Sequence, residues 1–176
     1  MKTFLLAAAA GALIASGTAA YAETVNLQLK WVTQAQFAGY YVAAAQGYYK
    51  DACLEVNIKP GGPDIGPVQV LAGGGADVIV DWMADALASR EKGAMVVNIA
   101  QPFKNSGLLF VCRKDTGISS SADFKGKTLG VWFFGNEYPF LSWMSQLGMP
   151  TTGGADGVTV VKQGFNVDPL IQKQAD

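Results

Sequence analysis

Histidine is absent from this chain of 176 residues. That removes the side chain most used as a general base near neutral pH, and the commonest metal ligand with it. Charge is also scarce: 13 basic residues stand against 14 acidic ones. They form no basic stripe of the kind a nucleic-acid surface needs, so no nucleic-acid partner is expected. Arginine occurs only at Arg90 and Arg113. Cysteine occurs twice, as Cys53 and Cys112. An exported chain could pair them, or leave them as two buried thiols; their separation decides which. Beyond the first residues no run is long and apolar enough to span a bilayer.

What is present begins with MKTFLLAAAAGALIASGTAAYA. Lys2 supplies a positive start, Phe4 to Ala15 an apolar run, and Ala20-Tyr21-Ala22 a small-x-small cleavage site. Residues 1–22 therefore read as a secretory signal, with Glu23 as the mature start and a periplasmic destination. A membrane anchor is the competing reading, but the run falls short of the ~20 apolar residues a spanning helix needs. Loss of Lys2 leaves 12 basic against 14 acidic residues, a balance of −2.

The mature stretch alternates short apolar strands with helical patterns. Strands are predicted at Val25–Trp31, Leu54–Lys59, Ala76–Asp81, Met95–Ala100, Leu108–Arg113, Lys127–Val131 and Val158–Gln163. Helices are predicted at Ala35–Tyr49 (with a candidate break at Gly47), from Asp64 as cap through Leu71, and at Met83–Lys92, Tyr138–Leu147 and Asp168–Gln174. Such alternation predicts an α/β fold with a mostly parallel sheet. The polar, turn-rich string Asp115–Gly126 separates two βα series. A first lobe over 23–114 and a partial second lobe over 115–176 are expected. Asp176 falls inside a helical pattern, and the second series has only two clear strands, so a fragment or truncated chain is expected.

Three of the four tryptophans close apolar strands: Trp31, Trp82 and Trp132. The carboxyl ends of parallel strands line the crevice where ligands bind in such folds. Indoles delivered there from separate strands suit a flat ligand. Gln34 and Gln36 beside Trp31 offer neutral amide edges. Asp81 and Asp85 flank Trp82 across one helical turn, and either accept N–H donors or cap the helix that follows. The loop Phe133-Phe134-Gly135-Asn136-Glu137 follows a strand and opens a helix, so its free N–H groups either receive a ligand or are capped by Asn136 and Glu137. Gly73-Gly74-Gly75 has the opposite order, helix then strand, and reads as a helix stop rather than a phosphate loop.

The stretches KWVTQAQFAGYYVAAAQGYYKDACLEVNIKPGG, ADVIVDWMADALASREKG and SADFKGKTLGVWFFGNEYPFL resemble the solute-binding proteins of ABC importers. The resemblance is stronger to the branch that includes thiamine-pyrimidine-precursor binding proteins and thiamine pyrimidine synthase. It implies a type II periplasmic binding fold of two lobes, a flat heterocyclic ligand such as a thiamine pyrimidine precursor, and an ABC permease as partner. The implied ligand-facing positions are Trp31 and Gln34, then Asp81, Trp82 and Asp85. From the next loop come Trp132, Phe134, Gly135, Asn136 and Glu137, with Asn166 at a further strand end. The synthase carries a lysine for pyridoxal phosphate where this chain has Asp81, and a histidine where it has Asp85. An aspartate forms no Schiff base, so no catalytic residue, cofactor or metal is expected. The synthase and a binder of a sulfonate or nitrate anion stand as alternatives; the latter requires an arginine at the crevice.

Overall fold

The computed structural model describes residues 22–176. The expected signal lies almost wholly outside the described residues. No helix among them is long and apolar enough to cross a membrane.

The first half is built on β1 (Glu23–Gln28), which pairs in parallel with β2 (Leu54–Lys59) on one side and with β3 (Val78–Ile79) on the other. Between β1 and β2 run a 3-10 turn at Ala35–Phe37, α1 (Ala38–Ala45) and α2 (Tyr48–Asp51). The helical reading of this stretch holds with its break: Gly47 adopts φ +80°, a conformation glycine reaches without steric penalty. α3 (Pro67–Ala72) and α4 (Met83–Glu91) follow β2 and β3.

Strand alternation decides what β1 and β2 bury. In β2, Leu54, Val56 and Ile58 are half-buried while Glu55, Asn57 and Lys59 are exposed, as expected for an edge strand with one covered face. The central strand differs. Leu27, Gln28, Leu29, Lys30 and Trp31 are all buried. Leu27, Leu29 and Trp31 pack with Phe37, Val56, Ile58, Val78 and Trp132 into one core. Gln28 and Lys30 point the other way and must find polar partners. Gln28 donates to the carbonyls of Leu29 and Pro60.

The second sheet holds β4 (Thr128–Val131) and β5 (Thr159–Lys162), again parallel, joined through α5 (Tyr138–Gln146). α6 (Asp168–Ile171) follows β5. Phe124, Leu129, Val131, Phe140, Met144, Met149 and Val158 form its core. Phe110 stacks on Phe140 at 5.3 Å, and Trp143 meets Phe110 and Phe124 edge-on. Trp143, in the middle of α5, is thus a packing residue.

Five expectations need correction. Met95–Ala100 and Leu108–Arg113 are not strands: neither makes a ladder with any described segment, although their sequences alternate as strands do. Exposure explains why. Met95, Val97 and Ile99 are 98%, 82% and 76% exposed, and Leu109 is 83% exposed. A β-pattern becomes a strand only beside a partner edge, and none of the described residues supplies one. Asp64 does not cap α3; Gly66 takes the cap position, and Asp64 instead pairs with Lys162 across to β5. Asp81 is not the cap of α4, whose N-cap is Trp82, because the Asp81 carboxyl turns back to its neighbour's N–H and to Lys30. Asn136 does not cap α5 either; Glu137 holds the cap position without a side-chain cap bond. Cys53 and Cys112 are both free thiols.

The bare 94–111 stretch exposes apolar side chains in a row, which favours dye binding and association. Val97→Thr combined with Ile99→Thr is expected to lower the fluorescence of bound anilinonaphthalene sulfonate at least twofold, with unchanged far-UV circular dichroism.

Candidate functional site

All five strands send their carboxyl ends to one region. β1 delivers Lys30 and Trp31, β2 the loop to Asp64, β3 Asp81 and Trp82. β4 delivers the Trp132–Glu137 loop, and β5 ends at Lys162. The two sheets meet here through side chains widely separated in sequence.

At the centre stands Lys30, whose side chain is 7% exposed. Its place follows from register. Leu27 lies beside Val78 and Gln28 beside Ile79, so two steps further Lys30 lies beside Asp81. The Lys30 Nζ is 2.7 Å from Asp81 Oδ1 and 3.6 Å from Asp85 Oδ2. It also donates to the Phe134 carbonyl at 2.7 Å. Asp81 and Asp85 are each 4% exposed at the side chain. Burial pushes the Asp81 carboxyl up to about 7; Lys30 opposes this and Asp85 adds to it. Ser89, one turn further along α4, donates to Asp85.

The Trp132–Glu137 loop lies against this group. Phe134 has φ +58° and Gly135 φ +92°. The Gly135 position faces the Asp85 carboxyl so closely that a Cβ there collides with it. Asn136 is buried; its Oδ1 accepts from Trp82 Nε1 at 2.7 Å, and its Nδ2 donates to the Phe133 carbonyl at 2.7 Å. Glu137 accepts from the Gly135 N–H at 2.8 Å. Trp132 Nε1 donates to the Gly164 carbonyl at 2.7 Å, which holds the loop after β5 in place.

The structure therefore brings most of the expected positions together, in three groups. Trp31 and Trp132 pack ring on ring, with centroids 5.0 Å apart and planes tilted by 57°. Asp81 and Asp85 share Lys30. Trp82 joins Asn136, and no ring pair includes Trp82 among the described residues. Gln34 is exposed at the head of the 3-10 turn, with no side-chain cap bond. Asn166 is exposed and engaged with Asp168. The indoles do not line an open slot. An open cleft of about 360 Å³ lies nearby, walled by Asp64, Ile65, Gly66, Gln69, Val70 and Phe134. Lys162 pairs with Asp64 at 2.6 Å and lies 5.3 Å from the Phe134 ring centre.

Lys30, Asp64 and Lys162 were not among the sequence-derived candidates. Lys30 had a usable signal: a lysine within an apolar central strand, beside a neighbouring strand that ends in aspartate. Asp64 and Lys162 had none, because each alone reads as an ordinary surface charge. Arg113 is tied to the Leu170 and Ala175 carbonyls and Arg90 is exposed, so neither stands at the crevice. No cluster of three or more His, Cys, Asp or Glu among the described residues is arranged to hold a metal ion.

A family model described as NMT1/THI5 like matches residues 34–176. The chain belongs to this family. It is 29% identical over 151 residues to the formylaminopyrimidine-binding protein of Halalkalibacterium halodurans, covering 85% of this chain and 44% of that protein. It is 25% identical over 111 residues to the riboflavin-binding protein RibY of Chloroflexus aurantiacus, covering 62% of this chain and 32% of that protein. The chain thus spans less than half the length of either relative. A solved structure from Bordetella bronchiseptica superposes with a TM-score of 0.57 at 21% identity, over 87% of this chain and 49% of that one, which shows likeness of fold. The pyridoxal phosphate of the related synthase finds no fit in the present residues. Asp81 stands at its strand end, and the neighbouring Lys30 amine is buried and engaged by Asp81 and the Phe134 carbonyl.

The Gly135–Asp85 contact leaves no room for a methyl group, and φ +92° strains any other residue. Gly135→Ala is expected to cost about 2–4 kcal/mol of stability, read from urea denaturation. Gly154→Ala, with a similar φ but open space around it, is expected to cost about 1–2 kcal/mol.

Proposed function

We propose that the chain is the extracytoplasmic solute-binding component of an ABC importer, and that it captures a flat heterocycle without altering it. The observation that carries this reading is that strand ends of the two sheets bring Trp31 against Trp132 and Trp82 against Asn136. Rings offer large contact area at small entropic cost, and the polar groups around them supply selectivity. The names of the two curated relatives support a ring as ligand, since one names a pyrimidine and the other riboflavin. A thiamine pyrimidine precursor is the favoured class.

In this reading the fold is the two-lobed type II periplasmic binding fold. Residues 1–22 are the signal peptide, 23–114 belong to the first lobe and 115–176 to the second. The loops between lobes close on the ligand by hinge motion. Asp81, Asp85, Asn136 and Glu137 surround the ring edges, and Gln34 and Asn166 approach from the rim once the lobes close. The loaded protein docks on an ABC permease at the membrane surface. Pyrimidine synthase chemistry is disfavoured because the strand end that needs an amine carries Asp81.

Intrinsic tryptophan fluorescence tests this directly. Titration with 4-amino-5-hydroxymethyl-2-methylpyrimidine and with riboflavin is expected to give saturable quenching by at least one of the two. Trp132→Ala is expected to weaken that binding about thirtyfold, the roughly 2 kcal/mol typical of an aromatic anchor. A response to taurine or nitrate with none to either ring would favour the anion binder and reject this reading.

A further inference from the structure

We propose that Asp81 and Asp85 hold one proton between them, and that this proton allows Lys30 to act as the positioning residue of the Trp132–Glu137 loop. The significance for ligand capture rests on the functional reading above; the shared proton and the loop contact do not.

Charge count comes first. Two carboxyl groups, each 4% exposed, face a single ammonium. Fully ionised, the group would bury a net negative charge, a costly state. The atoms locate the remedy. Asp81 Oδ2 and Asp85 Oδ2 are both buried and without a hydrogen-bond donor, and both carboxyls crowd the same Lys30 Nζ, at 2.7 and 3.6 Å. Two acceptors meet only with a proton between them, so one proton satisfies both orphaned oxygens. With the pair at a single negative charge, the Lys30 ammonium is left a donor to spend on the Phe134 carbonyl.

Few other charges reach this centre. From the loop comes Glu137, already engaged by the Gly135 N–H. From β5 and the β2–α3 connection come Lys162 and Asp64, which pair with each other outside the Phe134 ring. On α4, Arg90 and Glu91 are exposed, and Lys92 just beyond it reaches the Tyr138 hydroxyl on α5. Lys30 and Asp85 are the charged groups that act on Asp81.

The sign follows from linkage. The Asp81 carboxyl titrates near 7 in the folded chain and near the ordinary 3.8 when unfolded, so the folded state holds the extra proton between those values. Stability present at pH 4 is therefore lost as pH rises toward 7. Deprotonation then draws Lys30 toward both carboxylates and frees the Phe134 carbonyl. Asp77, Asp115 and Asp123 are shifted downward by hydrogen bonds and act with the opposite sign at lower pH.

The test compares wild type, Asp85→Asn and Lys30→Met as full chains, without ligand, from pH 4 to 8 at constant ionic strength. The wild-type urea midpoint is expected to fall as pH rises. Its infrared spectrum at pH 5 is expected to show a protonated carboxyl band. Asp85→Asn, which leaves a one-to-one pair, is expected to lose both the band and most of the slope. Cleavage by chymotrypsin after Phe134, mapped by mass spectrometry, is expected to increase with pH in wild type and to be insensitive to pH in Asp85→Asn. In Lys30→Met it is expected to be high throughout. An unchanged slope in Asp85→Asn overturns the shared proton, and pH-independent cleavage in wild type overturns the positioning role. Neither outcome bears on whether rings quench the tryptophans, so the functional reading stands or falls separately.

Discussion

The ammonium of Lys30 ties together parts of the chain that would otherwise have little reason to meet. It sits just past the middle strand of one sheet, donates to one acid and faces a second, and holds a backbone carbonyl of the loop that leaves the other sheet. A buried charge is tolerated only when it is paired and hydrogen-bonded, because an unpaired ion in a low-dielectric interior costs several kcal/mol. Two of the Lys30 donors reach Asp81 and the Phe134 carbonyl at 2.7 Å, and the Asp85 carboxyl stands 3.6 Å away. Remove the Phe134 carbonyl and one donor is orphaned; remove an acid and the charge balance changes. The position of the loop is thus bound to the electrostatics of the first sheet.

The same constraint explains why the loop has unusual backbone angles. Phe134 and Gly135 are both left-handed, at φ +58° and +92°. A phenylalanine in that region is strained by about 1–2 kcal/mol. The strain turns the Phe134 carbonyl inward to Lys30 while its ring faces the cleft under Lys162. Glycine at 135 lets the chain pass against the Asp85 carboxyl. Asn136 then closes the turn by serving Trp82 and the Phe133 carbonyl at once.

Much of this was legible in the sequence, for reasons that differ element by element. Helices α4 and α5 and strands β2, β4 and β5 came within two residues of their predicted bounds, because strand alternation and glycine stops agree locally there. The tryptophans at strand ends marked the meeting region. The 94–113 stretch misled, because its alternation reports which face could be buried and says nothing about whether an edge is present to pair with. Lys30 was overlooked for a related reason. A lysine next to a strand end reads as solvated, and only the register with Asp81 shows that it is enclosed. For Asn136 and Glu137 the sequence left ligand contact and helix capping open; Glu137 takes the cap position without a side-chain cap bond, and the two side chains bond within the turn and to Trp82.

The packing of Trp31 on Trp132 limits what stacking can contribute to any guest. At 5.0 Å the rings already make a favourable aromatic contact, and offset or tilted pairs gain about 0.5–1.5 kcal/mol beyond area burial. A ring that enters between them replaces this contact instead of filling a void, so the net gain is the difference between two ring–guest contacts and one indole–indole contact. A ring that lies on Phe134 meets a face partly open to the cleft, but near the Lys162 ammonium, whose attraction to that face it must match. Neither platform gives stacking its full value. Discrimination among flat ligands therefore falls to the polar edges, where a missing partner leaves a buried donor or acceptor at a cost of about 1–3 kcal/mol. In the proposed reading those edges are Asn136, Glu137 and the two acids, which already bond within the fold except at Asp81 Oδ2 and Asp85 Oδ2. Under that proposal a ligand must offer hydrogen bonds good enough to replace those partners, which ties selectivity to the same network that holds the two sheets together.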